Sequence, residues 1–544
     1  MYITRVVIRN FKGYEKLDLP LQPGMNIIVG DNEAKKSTIL EAINLVLSGT
    51  IDGKYLTADS LNDYLFNNKV VASYLEATSH NAKPEPPIIH IELHFSEDAS
   101  ADFEGAENIL KVKAKGVYCR IFLHPENEEL YLTLTREELK SLPLELYTIE
   151  TKRFSGMEQP RSSMPIRGSF IDTSSNFQNA SDLTISRILK GELDKTQKIK
   201  ASQFYRGIKD NYKEHPIHAE LQKYVNHEDA SVSLDPTSKN SWDSHLSVYF
   251  KEIPFNYVGK GLQTVLKTNV SLSSRRTENS SIVLIEEPEN HLSYSTLNQL
   301  VSMIEMKCEG KQILLTSHSS FIANKLGLEN LILLHEGTPF PFSGLVTDTK
   351  DFFKKLPGYD TLRLLLCKKA ILVEGDADEL VVQRAFKDIH GKLPIEMGID
   401  VLSVNNTYLR FLELAGPLKK KVALIIDMDN KKSSREDLKE SYSNSDYIDV
   451  FFEENDPYTG SLDKFNSNTL EPLIYKYNSP LAIKNVLGLD KSKTDDETLD
   501  YMRGNKTGCA LKIFESPEKI TYPKYIIDGI NFVEPLPIQE EDPF

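Results

Sequence analysis

Ile27-Ile28-Val29 is a short apolar run that leads straight into Gly30-Asp31-Asn32-Glu33-Ala34-Lys35-Lys36-Ser37-Thr38, with an apolar-periodic segment behind it. A buried strand that ends in glycine and feeds a helix points to a parallel α/β sheet, because the helix must return across that sheet. The same setting makes a phosphate-binding loop, with backbone N–H groups and the positive end of the helix dipole facing the anion. Gly30, Asn32 and Thr38 belong to that cradle, Lys36 would reach the β- and γ-phosphates of ATP, and Ser37 would ligate Mg²⁺. Lys35 stands where glycine is usual. Its side chain is expected to crowd the loop and to slow hydrolysis more than binding, since preorganised donors matter most as charge develops in the transition state.

Further strands end in chemistry. Ser281-Ile282-Val283-Leu284-Ile285 runs into Glu286-Glu287. The strand end sets one carboxylate near Mg²⁺, assigned to Glu286, and the next near the attacking water, assigned to Glu287 as general base. An exposed acidic turn is the plain alternative. Ile313-Leu314-Leu315 leads to Thr316-Ser317-His318, where a satisfied core histidine is the plain alternative. Residues 88–95 alternate at period two, and Val117 to Leu123 and Leu130 to Thr135 are strand-like too. From about 175 to 250 the pattern turns polar and helix-like, with a Ser/Asp/Pro/Lys stretch near 229–241, which predicts a helical insertion with a loose connection.

A second α/β unit begins near 369, with strands at 370–373, 401–404 and 422–426. The boundary is expected around 345–365, giving domains 1–355 and 365–544. Glu374 closes the first of these strands and Asp378 falls in the following helical turn, so both can converge on one metal. Asp427 and Asp429 end the third strand; side chains two apart on an extended chain point the same way. Hard oxygen ligands of this kind suit Mg²⁺ or Mn²⁺.

At 544 residues the chain is too long for one ordinary core. Its formal charge of −15 argues against tight passive DNA binding, which needs clustered Lys and Arg, but not against a metal-dependent site rich in carboxylates. Cys119, Cys308, Cys367 and Cys509 are too scattered for a metal knuckle or an obvious disulfide set. With no long apolar run and no signal-like start, the expectation is a cytoplasmic protein without a membrane span.

Carboxylates in this order on successive βα units resemble the Toprim fold. With the ATP-binding half in front, the chain resembles the OLD (overcoming lysogenisation defect) nucleases: an ABC-type ATPase domain with a helical insertion, followed by a C-terminal Toprim domain. In that resemblance His318 is similar to the γ-phosphate switch histidine of ABC ATPases. Tyr257 to Gln263, with Gly261, is similar to a degenerate ABC signature, and a plain Gly-rich turn is the alternative. Thr469-Leu470-Glu471 and Lys506 match later elements of the OLD pattern; a solvated Glu471, or Lys512 in place of Lys506, are the alternatives. The resemblance implies two-metal cleavage of DNA by an ATP-regulated endonuclease, with Glu374, Asp378, Asp427, Asp429 and Glu471 on the metals and Lys506 offsetting phosphorane charge. It also implies anti-phage defence, a homodimer or larger homo-oligomer, and possible pairing with a helicase or with a retron reverse transcriptase and its RNA. The alternative function is an ATP-gated nucleic-acid sensor or scaffold whose Toprim half is inactive.

Overall fold

The computed structural model describes residues 1–30, 34–79, 84–135, 138–173, 188–189, 191–223, 242, 248–319, 322, 326, 330–335, 337–341, 349, 363–364, 367–428, 431–454 and 469–536. The chain divides into two compact units, Met1–Pro341 and Phe342–Phe544.

The first unit opens with β1 (Ile3–Phe11), β2 (Tyr14–Pro20), β3 (Met25–Val29) and helix α1 (Lys36–Ser48). Strands β4 (Ile89–Phe95), β5 (Ala114–Leu123), β6 (Tyr147–Arg153) and β7 (Gly168–Asp172) follow. Then come α2 (Lys195–Glu214), α3 (Lys260–Leu272), β8 (Ile282–Glu286), α4 (Tyr294–Lys307), β9 (Gln312–Ser317), β10 (Leu331–His335) and β11 (Thr338–Pro341). One sheet is antiparallel, in the order β2-β1-β4-β5-β6. The other runs β7-β8-β9-β3-β10-β11 and is parallel except for its last pair.

Helix α1 buries Ile39, Leu40, Ala42, Ile43, Leu45 and Val46 in a core shared with strands of both sheets. It is apolar nearly all round because it is covered on more than one face. The parallel register pairs Asp172 with Glu286, Glu286 with Thr316, and Ser317 with Val29. Four strands therefore deliver their C-terminal ends to the edge where the phosphate loop begins.

Leu130 to Thr135, expected as a strand, is instead mostly a short helix, Glu128–Thr133. Pro125 opens a tight turn before it, and Glu128 and Glu129 sit in its first turn, where acidic side chains complement the helix dipole. Of the helical insertion, α2 and the helix Pro216–Gln222 are seen; 174–187, 190, 224–241 and 243–247 lie outside the described residues.

The second unit contains β12 (Lys369–Val373), α5 (Asp376–His390), β13 (Ile399–Ser403), α6 (Tyr408–Ala415), β14 (Lys421–Ile425), α7 (Lys432–Tyr442) and β15 (Ile448–Phe451). Helices α8 (Leu470–Tyr477), α9 (Asp495–Gly504), α10 (Lys506–Glu515) and α11 (Lys524–Val533) complete it. Its sheet is wholly parallel, in the order β13-β12-β14-β15. The apolar runs of β12 and β14 are buried on both faces, with Val381, Phe386, Ile474 and Ile526 among the core side chains around them.

Candidate active site and nucleotide site

At the start of α1, Lys36 is buried and its Nζ donates to the Gly30 carbonyl at 2.9 Å, 3.8 Å from Glu287 Oε1. Thr38 is buried behind it, and Asn32 lies outside the described residues. Lys35 caps the helix with φ 61° and ψ 29°, the left-handed conformation that glycine adopts without cost. Its side chain leaves the loop: Nζ donates to the Gly13 carbonyl at 2.7 Å and lies 5.8 Å from the Tyr14 ring centroid. Any Cβ on Gly13 would sit 2.5 Å from Lys35 Cδ, so the β1–β2 turn makes room for this lysine. The expected crowding of the phosphate loop by the Lys35 side chain is thus not what the geometry shows.

Glu286 ends β8, and burial pushes its carboxyl up to about 7. A hydrogen bond with Ser37 works the other way, and the charges of Asp172, Glu41 and Glu287 add to the rise. Glu287 has φ 38°, a conformation that costs roughly 1–3 kcal/mol and persists only where the surroundings impose it. Here the Glu287 N–H donates to the Thr316 carbonyl at 3.0 Å, and the Thr173 hydroxyl donates to the Glu287 carbonyl at 2.8 Å. A hydrogen bond with His318, followed by Asn290 and the charge of Lys36, holds the Glu287 carboxyl below its ordinary value despite partial burial. His318 Nδ1 is 3.5 Å from Glu287 Oε1, and that contact raises the imidazole.

Several residues here escaped sequence reasoning. Glu289 is buried; its Oε1 accepts from the Ser317 hydroxyl at 2.6 Å, the His318 N–H at 2.9 Å and the Ser319 N–H at 3.2 Å. It fixes the turn that carries His318. Lys267, buried on α3, is pushed down by burial and back up by Asp172 and Glu286. Asp172 was legible only as the end of a strand that the sequence did not announce. Gly261, in the first turn of α3, packs so closely on the loop after Glu287 that a Cβ would meet the His291 carbonyl at 2.5 Å.

In the second unit, Val373 pairs with Ile425, so Glu374 and Asp427 leave neighbouring strand ends. Asp378, in the first turn of α5, accepts from the Gly375 N–H at 3.0 Å. Asp427 Oδ2 accepts from the Leu470 N–H at 3.3 Å, which ties the start of α8, and with it buried Glu471, to the end of β14. Lys506 Nζ lies 3.2 Å from Glu471 Oε1. Lys512 is turned elsewhere, donating to the Leu487 carbonyl at 2.7 Å. Asp429 lies outside the described residues.

Burial, then the charges of Glu471 and Glu374, push the Asp378 carboxyl up to about 7. Burial, then Asp378, Glu374 and Glu471, push Asp427 well above the carboxylate range. Burial alone would lower the Lys506 ammonium, but Glu471 and the aspartates outweigh it and raise it. Asp427 Oδ1 and Glu471 Oε2 are buried without a hydrogen-bond partner. Among the described residues no three metal-ligating side chains already close on one point. The donor set nonetheless fits a hard divalent cation: crowded carboxylates with unpartnered oxygens lower their repulsion by sharing one.

Arg435 was invisible in the sequence, set in a polar stretch that looks like a solvated helix. It is buried; Nη2 donates to Glu374 Oε1 at 2.6 Å, Nη1 to the Tyr408 hydroxyl at 2.6 Å, and Nε to the Asp427 carbonyl at 3.2 Å.

Residues 1–143 and 91–323 match the AAA ATPase domain family, and residues 365–429 match the Toprim domain of overcoming-lysogenization-defect-like proteins. The chain belongs to the AAA ATPase domain family, in its OLD-type ATPase–Toprim form. It is 24% identical to an OLD nuclease of Thermus scotoductus over 422 residues, 71% of this chain and 74% of that protein. It is 51% identical to the DNA replication and repair protein RecF of Roseiflexus castenholzii over 43 residues, only 8% of this chain and 11% of that protein. Two solved structures align with about the same share of this OLD-type chain. One is an Smc head bound to the C-terminal winged-helix domain of ScpA, with 17% identity, a TM-score of 0.33, and coverage of 62% of this chain and 97% of that one. The other is the SMC head domain from Thermotoga maritima, with 12% identity, a TM-score of 0.29, and coverage of 63% and 100%.

Proposed function

We propose that this chain is an ATP-regulated, divalent-metal-dependent endonuclease that hydrolyses phosphodiester bonds in DNA. The observation that carries the reading is the gathering of Glu374, Asp378, Asp427 and Glu471 at one end of a parallel sheet, with Asp427 Oδ1 and Glu471 Oε2 buried and unpartnered. These four, with Asp429, would hold Mg²⁺ or Mn²⁺. Bound there, such ions activate a water and stabilise the leaving oxygen. Lys506, beside Glu471, places a positive charge where the phosphorane becomes more negative. Arg435 fixes the direction of Glu374 from behind, as outer partners of metal ligands do.

In the ATPase unit, Gly30, Asn32, Lys36 and Thr38 would cradle the phosphates, and Ser37 with Glu286 would hold the accompanying Mg²⁺. Glu287 is kept ionised by His318 and Lys36, which suits a group that must accept a proton from water. His318 would meet the γ-phosphate. The turn around Gly261 would complete the site of a second copy, so at least a homodimer is expected. Likeness to the Thermus OLD nuclease supports the nuclease part of this reading. From the OLD pattern of the motifs we extend it to a role in cytoplasmic defence against phage, alone or with a helicase or a retron reverse transcriptase and its RNA.

The test is plasmid incubation with Mg²⁺ or Mn²⁺, with and without EDTA. Cleavage is expected only with metal. Undiminished cleavage by a correctly folded Glu374→Ala/Asp427→Ala double variant would sink the nuclease assignment.

A further inference from the structure

On the first unit, Arg161, Arg167, Arg275 and Arg276 line one groove of about 350 Å³. Its wall also includes Leu47 and Ser48 from the end of α1, which opens at the phosphate loop. Thirteen residues at 1.5 Å each separate the two, so the groove lies about 20 Å from Lys36 and belongs to a different edge of the sheet. Two segments far apart in sequence build it: 161–168, which leads into β7, and 275–279, which leads into β8.

All four arginines are exposed. Arg275 Nε lies 3.5 Å from Glu192 Oε2. Arg161, Arg167 and Arg276 have no carboxylate partner among the described residues, in a chain whose formal charge is −15. Converging guanidinium groups repel one another, and among the described residues Glu192 is the one carboxylate that reaches any of the four. Arg161 is held in place from below: its guanidinium lies directly over Gly49, the left-handed residue that closes α1, at the negative end of the helix dipole. Lys311 adds to the local positive charge, donating to the Glu278 carbonyl at 2.8 Å and the Ser280 carbonyl at 3.0 Å.

Arginine's planar fork matches phosphate oxygens, and four of them in one concavity call for a polyanion. Among the described residues no aromatic side chain lines the groove, so they offer no platform for stacking bases. Single-strand binding and nucleotide-base recognition both lean on such platforms. We propose that this groove binds the phosphate backbone of duplex DNA without regard to sequence, as a contact on the ATPase unit separate from both the nucleotide loop and the carboxylate cluster. The inference rests on the reading that the chain acts on DNA.

The experiment is equilibrium binding of the full chain to fluorescent duplexes of two unrelated sequences, in EDTA and at several salt concentrations. Arg161→Ala/Arg167→Ala/Arg276→Ala should weaken binding to both duplexes by about tenfold or more. The slope of log affinity against log salt should flatten by roughly one for each arginine that meets a phosphate. The corresponding triple lysine variant should retain most of the binding, and calorimetric ATP affinity should not move in either. A folded triple alanine variant with natural affinity and salt slope overturns the groove, and its plasmid cleavage then shows that the nuclease reading survives. Weakening confined to one duplex sequence overturns backbone recognition. A natural chain that neither binds nor cleaves DNA overturns both readings together.

Discussion

At the end of β8, Glu287 faces Lys36 at 3.8 Å and His318 at 3.5 Å, and its carboxyl lies below the ordinary range. At the end of β14, Asp427 faces Asp378, Glu374 and Glu471, and its carboxyl lies well above it. Both are acidic residues at the C-terminal edge of a parallel sheet, delivered there by the same kind of buried strand. What differs is the sign of the neighbours. On the proposed reading, the loop that would receive a triphosphate sets cations beside Glu287, while Glu286 next to it lies among carboxylates. The cluster that would receive cations on the proposed reading sets carboxylate against carboxylate, and Lys506 and Arg435 relieve only part of the repulsion. The balance of charge around each carboxylate is what favours an anionic partner at one site and a cationic one at the other.

The widest gap between the two sites should open on neutralising each carboxylate. Asp427→Asn should reduce metal-dependent cleavage at least about a hundredfold. In EDTA it should raise the melting temperature, because it removes repulsion. Glu287→Gln should not raise it, because it leaves Lys36 and His318 without their counter-charge. Shifts of the same sign at both sites, in melts followed by circular dichroism, would break the comparison.

Arg435→Ala should come next, raising the Mn²⁺ concentration for half-maximal cleavage about 10–100-fold, the usual cost of losing a partner behind a metal ligand. Arg435→Lys should recover part of that loss, since a charge remains beside Glu374. A normal metal requirement in the alanine variant would reduce Arg435 to a packing residue.

Proton linkage offers a finer test. Asp378 has a folded value of about 7, well above its ordinary 3.8. The folded state therefore binds the proton more tightly between these limits, and stability must fall as pH rises from about 4 through 7. Glu286, also near 7, and His318, raised by Glu287, act with the same sign, so a Glu286→Gln/His318→Gln background removes these first-unit contributions. Without metal, melting temperature should climb by a few degrees on going from pH 8 to pH 5.5. Saturating Mg²⁺ should flatten that dependence. A stability that rises with pH in EDTA would contradict the raised carboxyls.

Lys35→Gly should have the smallest effect. Its backbone already has the left-handed conformation and its side chain is bonded to the Gly13 carbonyl. ATP affinity and turnover are expected within about threefold of the natural chain. Calorimetry alongside steady-state phosphate release checks this, and a large rise in turnover would restore the idea that Lys35 holds hydrolysis back.

The strand-end motifs were legible because their signals are local. An apolar run that must be buried becomes a strand, and whatever follows it sits at the sheet edge: Lys36 after β3, Glu286 within β8, Glu374 after β12 and Asp427 after β14. Leu130 to Thr135 shows the limit of that logic, since a proline turn and two glutamates made a helix of an apolar-alternating stretch.

What depended on distant segments was not legible. Two lysines six residues apart, Lys506 and Lys512, looked equivalent until α10 was packed and only one met Glu471. Arg435 became a partner of Glu374 across 61 residues, and Glu289 found the His318 turn across 29. Lys35 cleared the phosphate loop only because Gly13, 22 residues away, left space for it. The sequence by itself determined which stretches carry acid, base and phosphate chemistry, since hydrophobic periodicity and turn composition act within a few residues. Sheet register and helix packing alone decided which charges face one another, because those pairings are set by contacts between segments that the linear order keeps apart.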